Sequence, residues 1–297
     1  LASMLPLFFT ASILSACCLS KSTCLSHDDL RELKTEFAIR LYQHVARAEN
    51  RSSLVLSPAS VAASLELLQS GAQGNTFVEL RNALGYSVHG KALFKRNGFG
   101  SDCLALSSRG PAVQQACSLF VQAGVELSPR FAARWPDGSL QQANFSDPGA
   151  AAARIQQWIS TNTGGGNVPS MTLETAASPL HQVAVVSTMY FKSTWQKKFS
   201  FMDTQMLPFT TAEGSTLKVP TMHHTAEVNY GRFQTASPEA LSVLELPYVG
   251  DEISMLVLLP GHSGTALSRL ESQLSAKAVT LWATSLKRTR MDVFLPR

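Results

Sequence analysis

The sequence predicts an α+β fold. Three observations carry this. Helical periodicity dominates the N-terminal part of the chain, strand-like runs dominate the middle and the C-terminal part, and the two never alternate in the rhythm of parallel βαβ units. No internal repeat and no linker divides the 297 residues, so one domain is expected. With 45% hydrophobic and 15% charged residues the chain can build a sizeable core.

The first residues do not belong to that core. "MLPLFFTASILSACCLSKSTCLS" is apolar from Leu5 to Ala16 and leaves through small residues around Cys17, Cys18 and Ser20. The run is too short to span a membrane and fits the apolar core and small-residue exit of a secretory signal, although a basic leader is missing. Residues 1–20 are therefore expected to be a signal segment, with Met4 as the natural start, and the protein to be secreted and extracellular. No other apolar run reaches spanning length. Beyond Ser20, Cys24, Cys103 and Cys117 are too few for a disulfide framework, so the core must hold the fold. Asn50-Arg51-Ser52 and Asn144-Phe145-Ser146 are sequons that suit a glycoprotein.

The domain itself is expected over 27–297. Ser26 to Asp29 resembles a capping box, and Leu30, Leu33, Phe37, Leu41 and Val45 continue at helical spacing. Leu54 to Leu56 read as a short buried strand. Ser57 then caps a helix with Pro58 in its first turn, striped by Val61, Leu65 and Leu68 and stopped by Gly71. Thr76 with Glu79 forms a second capping box, and Gly85 ends that helix. From Ser87 to Pro111 no period survives, and a loop is expected. "SLFVQAGVEL" reads as a strand. Asp147 and Pro148 start a helix carried by Ile155, Trp158 and Ile159, which stops at Gly164 to Gly166.

"HQVAVVSTMYF" is apolar on both faces and is expected at the centre of a sheet. "LSVLELPY" and "ISMLVLLPG" read as a hairpin. Leu267, Leu270 and Leu274 mark one more helix, and Val279, Trp282 and Leu286 the next, with Ser275 as a cap.

Charge and motif exclude several functions. Lys and Arg exceed Asp and Glu by only 25 − 21 = 4, dispersed along the chain, which argues against a nucleic-acid partner. There is no G-x-S-x-G elbow, and a histidine beside a serine in "PGHSGT" makes no triad, which needs groups converging in space. His223 and His224, adjacent in a strand, point to opposite faces and cannot chelate together. Gly164 to Gly166 lacks the Lys-Ser/Thr of a phosphate loop. Lys287, Arg288 and Arg290 fit a helix C-terminus, and Lys91, Lys95 and Arg96 are weak candidates for a polyanion such as a glycosaminoglycan. No enzyme, metal or cofactor is expected.

A resemblance sharpens this reading. "SSLVLSPASVAASLELLQSGAQGNTFVELRNALGY", with Ser57, Pro58, Ser60, Leu65, Gly71, Ala72, Gly74 and Thr76, resembles the strand-then-helix segment of the serpins, the serine protease inhibitor superfamily. "VVSTMYFKSTWQKKF", with Phe191, Lys192, Trp195 and Phe199, is similar to the family's central strand and following turn. "TLKVPTMHHTAEVNYGRF", "VLELPYVGDEISMLVLLP" and "VFLPR" follow in family order, in the flavour of the plasminogen-activator-inhibitor and nexin group. Ser53, Ser187 and Ser193 depart from the family's Asn, Asn and Gly in or near the zone where its main sheet opens. The stretch from Arg96 to Pro111 replaces the helix that often binds heparin, which weakens that expectation.

The resemblance implies a serpin-like multi-helix and mixed-sheet domain that traps serine proteases as a suicide substrate. A bait loop is cleaved and inserts as a new strand in the main sheet, carrying the acyl-linked protease with it. The strand 183 to 191, the region around Ser57, Pro58, Ser60 and Ser187, and Trp195 would then form the acceptor. The family's loop and last strands follow the "LPR"-like stretch, so the chain is expected to be truncated, without its reactive loop and non-inhibitory as it stands. "MDVFLPR" is expected at the edge of the main sheet with an unpaired end, and strand 183 to 191 with one bare edge. The alternative is a non-inhibitory serpin acting as a binding or carrier protein; a hydrolase ranks last.

Overall fold

The computed structural model describes residues 27–48, 53–87, 112–135, 137–163, 182–211, 214–234, 240–251, 253–260 and 267–297. Helix α1 (His27–Ala48) carries Asp28 and Asp29 in its first turn, where acidic groups complement the helix dipole. Its Leu30 and Phe37 bury against Ala62, Leu84 and Tyr86, which come from or follow α2 (Pro58–Gly71) and α3 (Gly74–Leu84). The Ser57 hydroxyl caps α2, accepting from the Ser60 backbone N–H at 3.4 Å. Gly85 closes α3 in the left-handed region at φ 85°, which a side chain would strain.

Two local expectations fail here. Leu54 to Leu56 form no strand, and Val55 is 98% exposed. No described strand lies beside this stretch, so its apolar residues have no ladder to join. Helix α3 begins at Gly74 behind Gln73, which makes no side-chain cap bond, so the Thr76–Glu79 pair lies inside the helix rather than at its start. The preceding Ala72 is extended, and its N–H bonds Gln69 and Leu68 carbonyls, closing α2 tightly enough for α3 to start early.

The first sheet has the order β2-β1-β3. Strand β1 (Ala112–Gln122) pairs in parallel with β2 (Leu140–Ala143) and antiparallel with β3 (Val183–Lys192). One face, with Phe120, Ala184 and Val186, is covered by Ile155, Trp158 and Ile159 of α5 (Pro148–Asn162). The other face, with Cys117, Leu119, Val121 and Val185, packs on Leu67 of α2 and on Trp135 and Phe131 near the short α4 (Pro129–Ala132). Each such apolar side chain contributes roughly 1.5–3 kcal/mol when fully buried. Helices on both faces explain why β3 reads as apolar on both of them. Cys117, opposite Ser187, is buried and disulfide-bonded. Strand β3 is nevertheless not central among the described residues. It ends the sheet, because sequence shows burial of the two faces but not pairing at the two edges.

The second sheet is built on β5 (Thr216–Gln234). Strand β4 (Gln205–Thr210) pairs with it up to Thr221, and β6 (Ala240–Pro247) joins from Asn229. Strand β7 (Ser254–Pro260) completes the predicted hairpin with β6. Strand β8 (Lys287–Pro296) runs along β5 for ten residues, from Thr221 opposite Pro296 to Tyr230 opposite Lys287. Thr221 pairs both β4 and β8, and Asn229 both β6 and β8, so β8 occupies one side of β5 and the other two strands share the opposite side. Helices α6 (Leu267–Gln273) and α7 (Ala276–Thr284) pack Leu270 and Trp282 on Leu241 and Val243. Ser275 caps α7 as expected.

The stretch "MDVFLPR" is thus paired along its length with β5, not carried as an unpaired end of the sheet that holds β3. Val293 is buried with Ala226, Val228 and Leu246, and that apolar contact fixes the strand where it lies. Lys287, Arg288 and Arg290 belong to this strand and not to a helix end; Arg288 pairs with Glu227 at 3.3 Å. None of the described helices is long and apolar enough to cross a membrane.

Candidate functional site

The sequence-predicted site residues converge on β3 from two directions. From the helical side, Ser57 at the start of α2 reaches the strand directly: its hydroxyl lies 3.1 Å from the Met189 sulfur and 2.9 Å from the Ser60 hydroxyl. Ser60 is buried, and its carbonyl accepts from Ser64 Oγ at 3.1 Å, which ties the cluster into the helix. Pro58 holds the first turn of α2. Ser187 is half-buried two residues before Met189, on the strand face shared with Val185 and Met189, because strand side chains alternate. The sequence left open whether Ser57 is a helix cap or a contact to the strand; it is both.

At the C-terminal end of β3 the chain leaves through Phe191 into Trp195. The Trp195 ring stacks on Tyr248 at 4.3 Å and 11°, and Phe191 meets the same tyrosine edge-on at 5.0 Å. The backbone repeats the join, with Trp195 bridging Tyr248, Gln196 N–H donating to the Pro247 carbonyl at 3.0 Å and Val249 N–H to the Thr194 carbonyl at 2.9 Å. Burial pushes the Tyr248 phenol above its ordinary value. This aromatic cluster connects the end of β3 with the β6–β7 hairpin and so couples the two sheets.

The strand that carries both contacts is ten residues long and bonded to β1 from Val183 to Lys192, with no strand on its other edge among the described residues. A strand edge of this kind presents unpaired N–H and C=O groups to any extended segment that comes alongside. Thr188, on the face toward α5, has a buried hydroxyl without a hydrogen-bond partner. Met189 and Tyr248 were not singled out from sequence. Their signal was faint: a methionine in an apolar run, and a tyrosine after the last proline of a strand.

The remaining candidates divide. Asn144 is exposed just after β2, where its side-chain oxygen accepts from the Ser146 N–H at 3.2 Å. Asn50, Lys91, Lys95 and Arg96 lie outside the described residues, as do Gly261 to Thr265 of "PGHSGT" and Gly164 to Gly166. His223 stacks on Phe294 at 4.4 Å beside Asp292, while His224 stacks on Phe199 at 4.1 Å. Burial pushes the His224 ring below the usual histidine value, against a backbone hydrogen bond at Lys198 that raises it. Among the described residues no group of three His, Cys, Asp or Glu side chains could hold a metal.

Comparison with known proteins places these features in a family. A family model described as Serpin (serine protease inhibitor) matches residues 32–297. A Danio rerio protein named "Probable serpin E3" is 43% identical over 280 residues, which is 90% of this chain and 67% of that protein. Neuroserpin of Mus musculus is 30% identical, matched over 90% of this chain and 66% of its own length. Glia-derived nexin of Rattus norvegicus is 28% identical over 98% of this chain and 73% of its own. The chain thus spans about two thirds to three quarters of the length of these relatives. Among solved structures, native protease nexin-1 with heparin aligns at a TM-score of 0.80 and 26% identity, covering 90% of this chain and 73% of its own. Emu ovalbumin aligns at 0.78 and 24%, over the same shares, and shows the fold alone.

Proposed function

The chain belongs to the serpin family, and from that premise we propose that it is the strand-accepting part of a secreted inhibitor of serine endopeptidases. In this reading a cleaved bait loop enters beside β3 as an added strand and carries the acyl-linked protease with it. The observation that carries the reading is the free edge of β3. Among the described residues its ten residues pair with a strand along one side only, in a sheet whose two faces are already packed by α2 and α5. An added strand would find a ready ladder and covered faces, so insertion gains hydrogen bonds without building a new core.

The roles follow from position. Ser57 and Ser60 hold the start of α2 against Met189 and set how readily β3 can shift on the helix. Trp195 and Tyr248 fix the end of the strand where a loop would come in. Ser187, facing the α2 layer, is a positioning residue of the same zone.

The test is incubation of the full-length natural protein with trypsin-like serine proteases, followed by a search for a covalent complex stable to SDS. Such a complex is expected. Cleavage without a complex would instead support the second reading, a non-inhibitory serpin that binds or carries a ligand. The serines at 53, 187 and 193, which depart from the family pattern, favour that alternative.

Secretion and glycosylation belong to the same proposal. Asn144 offers an exposed acceptor, Asn50 a second, and a mobility shift on treatment with an N-glycosidase would be seen in protein from the culture medium. The likeness to a nexin structure solved with heparin supports a weak glycosaminoglycan contact at Lys91, Lys95 and Arg96. Loss of heparin retention on their joint replacement by alanine tests it.

A further inference from the structure

Strand β5 changes partners on one side. It leaves β4 at Thr221 and meets β6 only at Asn229, and across residues 222–228 that side has no strand beside it among the described residues. A pocket of about 340 Å³ opens at this gap, within the range of small-molecule sites. Its walls are aromatic where the chain turns out of β3, with Trp195 stacked on Tyr248 and Phe199 stacked on His224.

The charges around the pocket are unevenly matched. Of the three carboxylates lining it, only Glu227 has a cationic partner among the described residues, Arg288 at 3.3 Å; Asp251, which is exposed, accepts from the neutral Gln196 Nε2 at 2.7 Å. Glu245 accepts from two neutral donors, Asn229 Nδ2 at 2.8 Å and Ser254 Oγ at 2.7 Å, and no basic side chain among the described residues lies within ion-pair distance of it. Those two bonds orient the carboxylate but leave its charge uncompensated, and a half-buried carboxylate in that state favours a cation. Burial disfavours the protonated form of the His224 ring.

We propose that this pocket is a binding site for a small organic cation carrying an aromatic ring, with its ammonium or amidinium group against Glu245 and its ring along the wall of Trp195 and Phe199. A protonated arylalkylamine is the simplest member of that class. Aromatic faces attract a desolvated cation as well as an apolar ring, so both parts of such a ligand have a partner. The inference rests on the pocket alone and does not need the inhibitory reading; its failure would leave that reading as it was.

Phenethylamine is the probe, titrated into the full chain while tryptophan fluorescence is followed. Phenylpropionate and phenylethanol serve as the matched anion and neutral analogue. A saturable change is expected with phenethylamine, lost in Trp195→Phe, together with at least tenfold weaker binding of the other two. Glu245→Gln, whose amide oxygen can still accept from Asn229 while its NH2 donates to the Ser254 hydroxyl oxygen, should weaken phenethylamine about tenfold, a difference of roughly 1.4 kcal/mol. No saturable change, or equal binding of the anion through Lys197 or Arg288, overturns the proposal. If Glu245→Gln does not fold, the comparison of cation with anion on the unsubstituted chain decides.

Discussion

The Ser57 hydroxyl lies 3.1 Å from the sulfur of Met189, so the first residue before α2 touches the middle of β3. The same oxygen caps the helix and meets the Ser60 hydroxyl. One side chain therefore anchors the helix to the strand that, among the described residues, is paired on one edge alone.

Ser57→Ala is expected to destabilise the chain by about 1 kcal/mol, within the 0.5–2 kcal/mol range of lost N-caps. Urea denaturation at neutral pH would show the midpoint fall with an unchanged slope. An effect below about 0.3 kcal/mol would mean that the cap and the Met189 contact contribute nothing.

Tyr86 donates to the Glu66 carboxylate at 2.5 Å, and both side chains are buried; Lys34 pairs with the same oxygen at 3.3 Å. Tyr86→Phe removes the neutral donor and leaves the carboxylate short of one partner. The expected loss is about 2 kcal/mol, since a buried group left unsatisfied costs roughly 1–3 kcal/mol. Glu66→Gln with Tyr86→Phe should recover part of it, and a double-mutant cycle measures how much.

The edge of β3 that has no strand beside it among the described residues is an aggregation site unless something covers it. Val183, exposed at the start of the strand, is the place to block it with little disturbance. Val183→Lys should reduce self-association of the purified chain in light scattering while shifting stability by no more than about 0.5 kcal/mol. Equal self-association in both proteins would mean that this edge is not the adhesive surface.

Two groups give the stability a pH dependence at opposite ends. Hydrogen bonds from Thr225 and His223 hold the Asp292 carboxyl below its ordinary value of 3.8. A depressed carboxylate stabilises the fold above its unfolded value and loses that contribution as pH falls through the lower folded value. Asp292→Asn should therefore flatten the acid limb of the stability profile below about pH 4. At the alkaline end, the hydrogen bond to Glu271, with burial and the same negative charge, pushes the Tyr42 phenol up to about 12 from 10.0. Its contribution is complete below pH 10.0 and is lost as pH rises toward about 12, so Tyr42→Phe should flatten the alkaline limb in that window. Urea midpoints measured across both windows check the pair.

Helix starts and stops were legible because they are local. Ser57, Asp147 and Ser275 each cap the helix that their spacing with the next apolar stripe announces, and Gly85 ends one. Leu54 to Leu56 were not legible, since an apolar triplet becomes a strand only where a neighbour supplies the ladder. The long β5 was harder still: one strand serves three partners, and which residues each partner takes is settled at a distance.

The sequence by itself determined the α+β class, the family resemblance and the residues gathered on β3, because periodicity and motif order survive in one dimension. Only the tertiary structure decided that Ser57 meets Met189, that Trp195 stacks on Tyr248, that β3 ends the sheet among the described residues, and that "MDVFLPR" runs beside β5. The physical reason is the same in each case. Burial of a face is written in the alternation of side chains, whereas the pairing of an edge depends on backbone groups that every sequence carries alike.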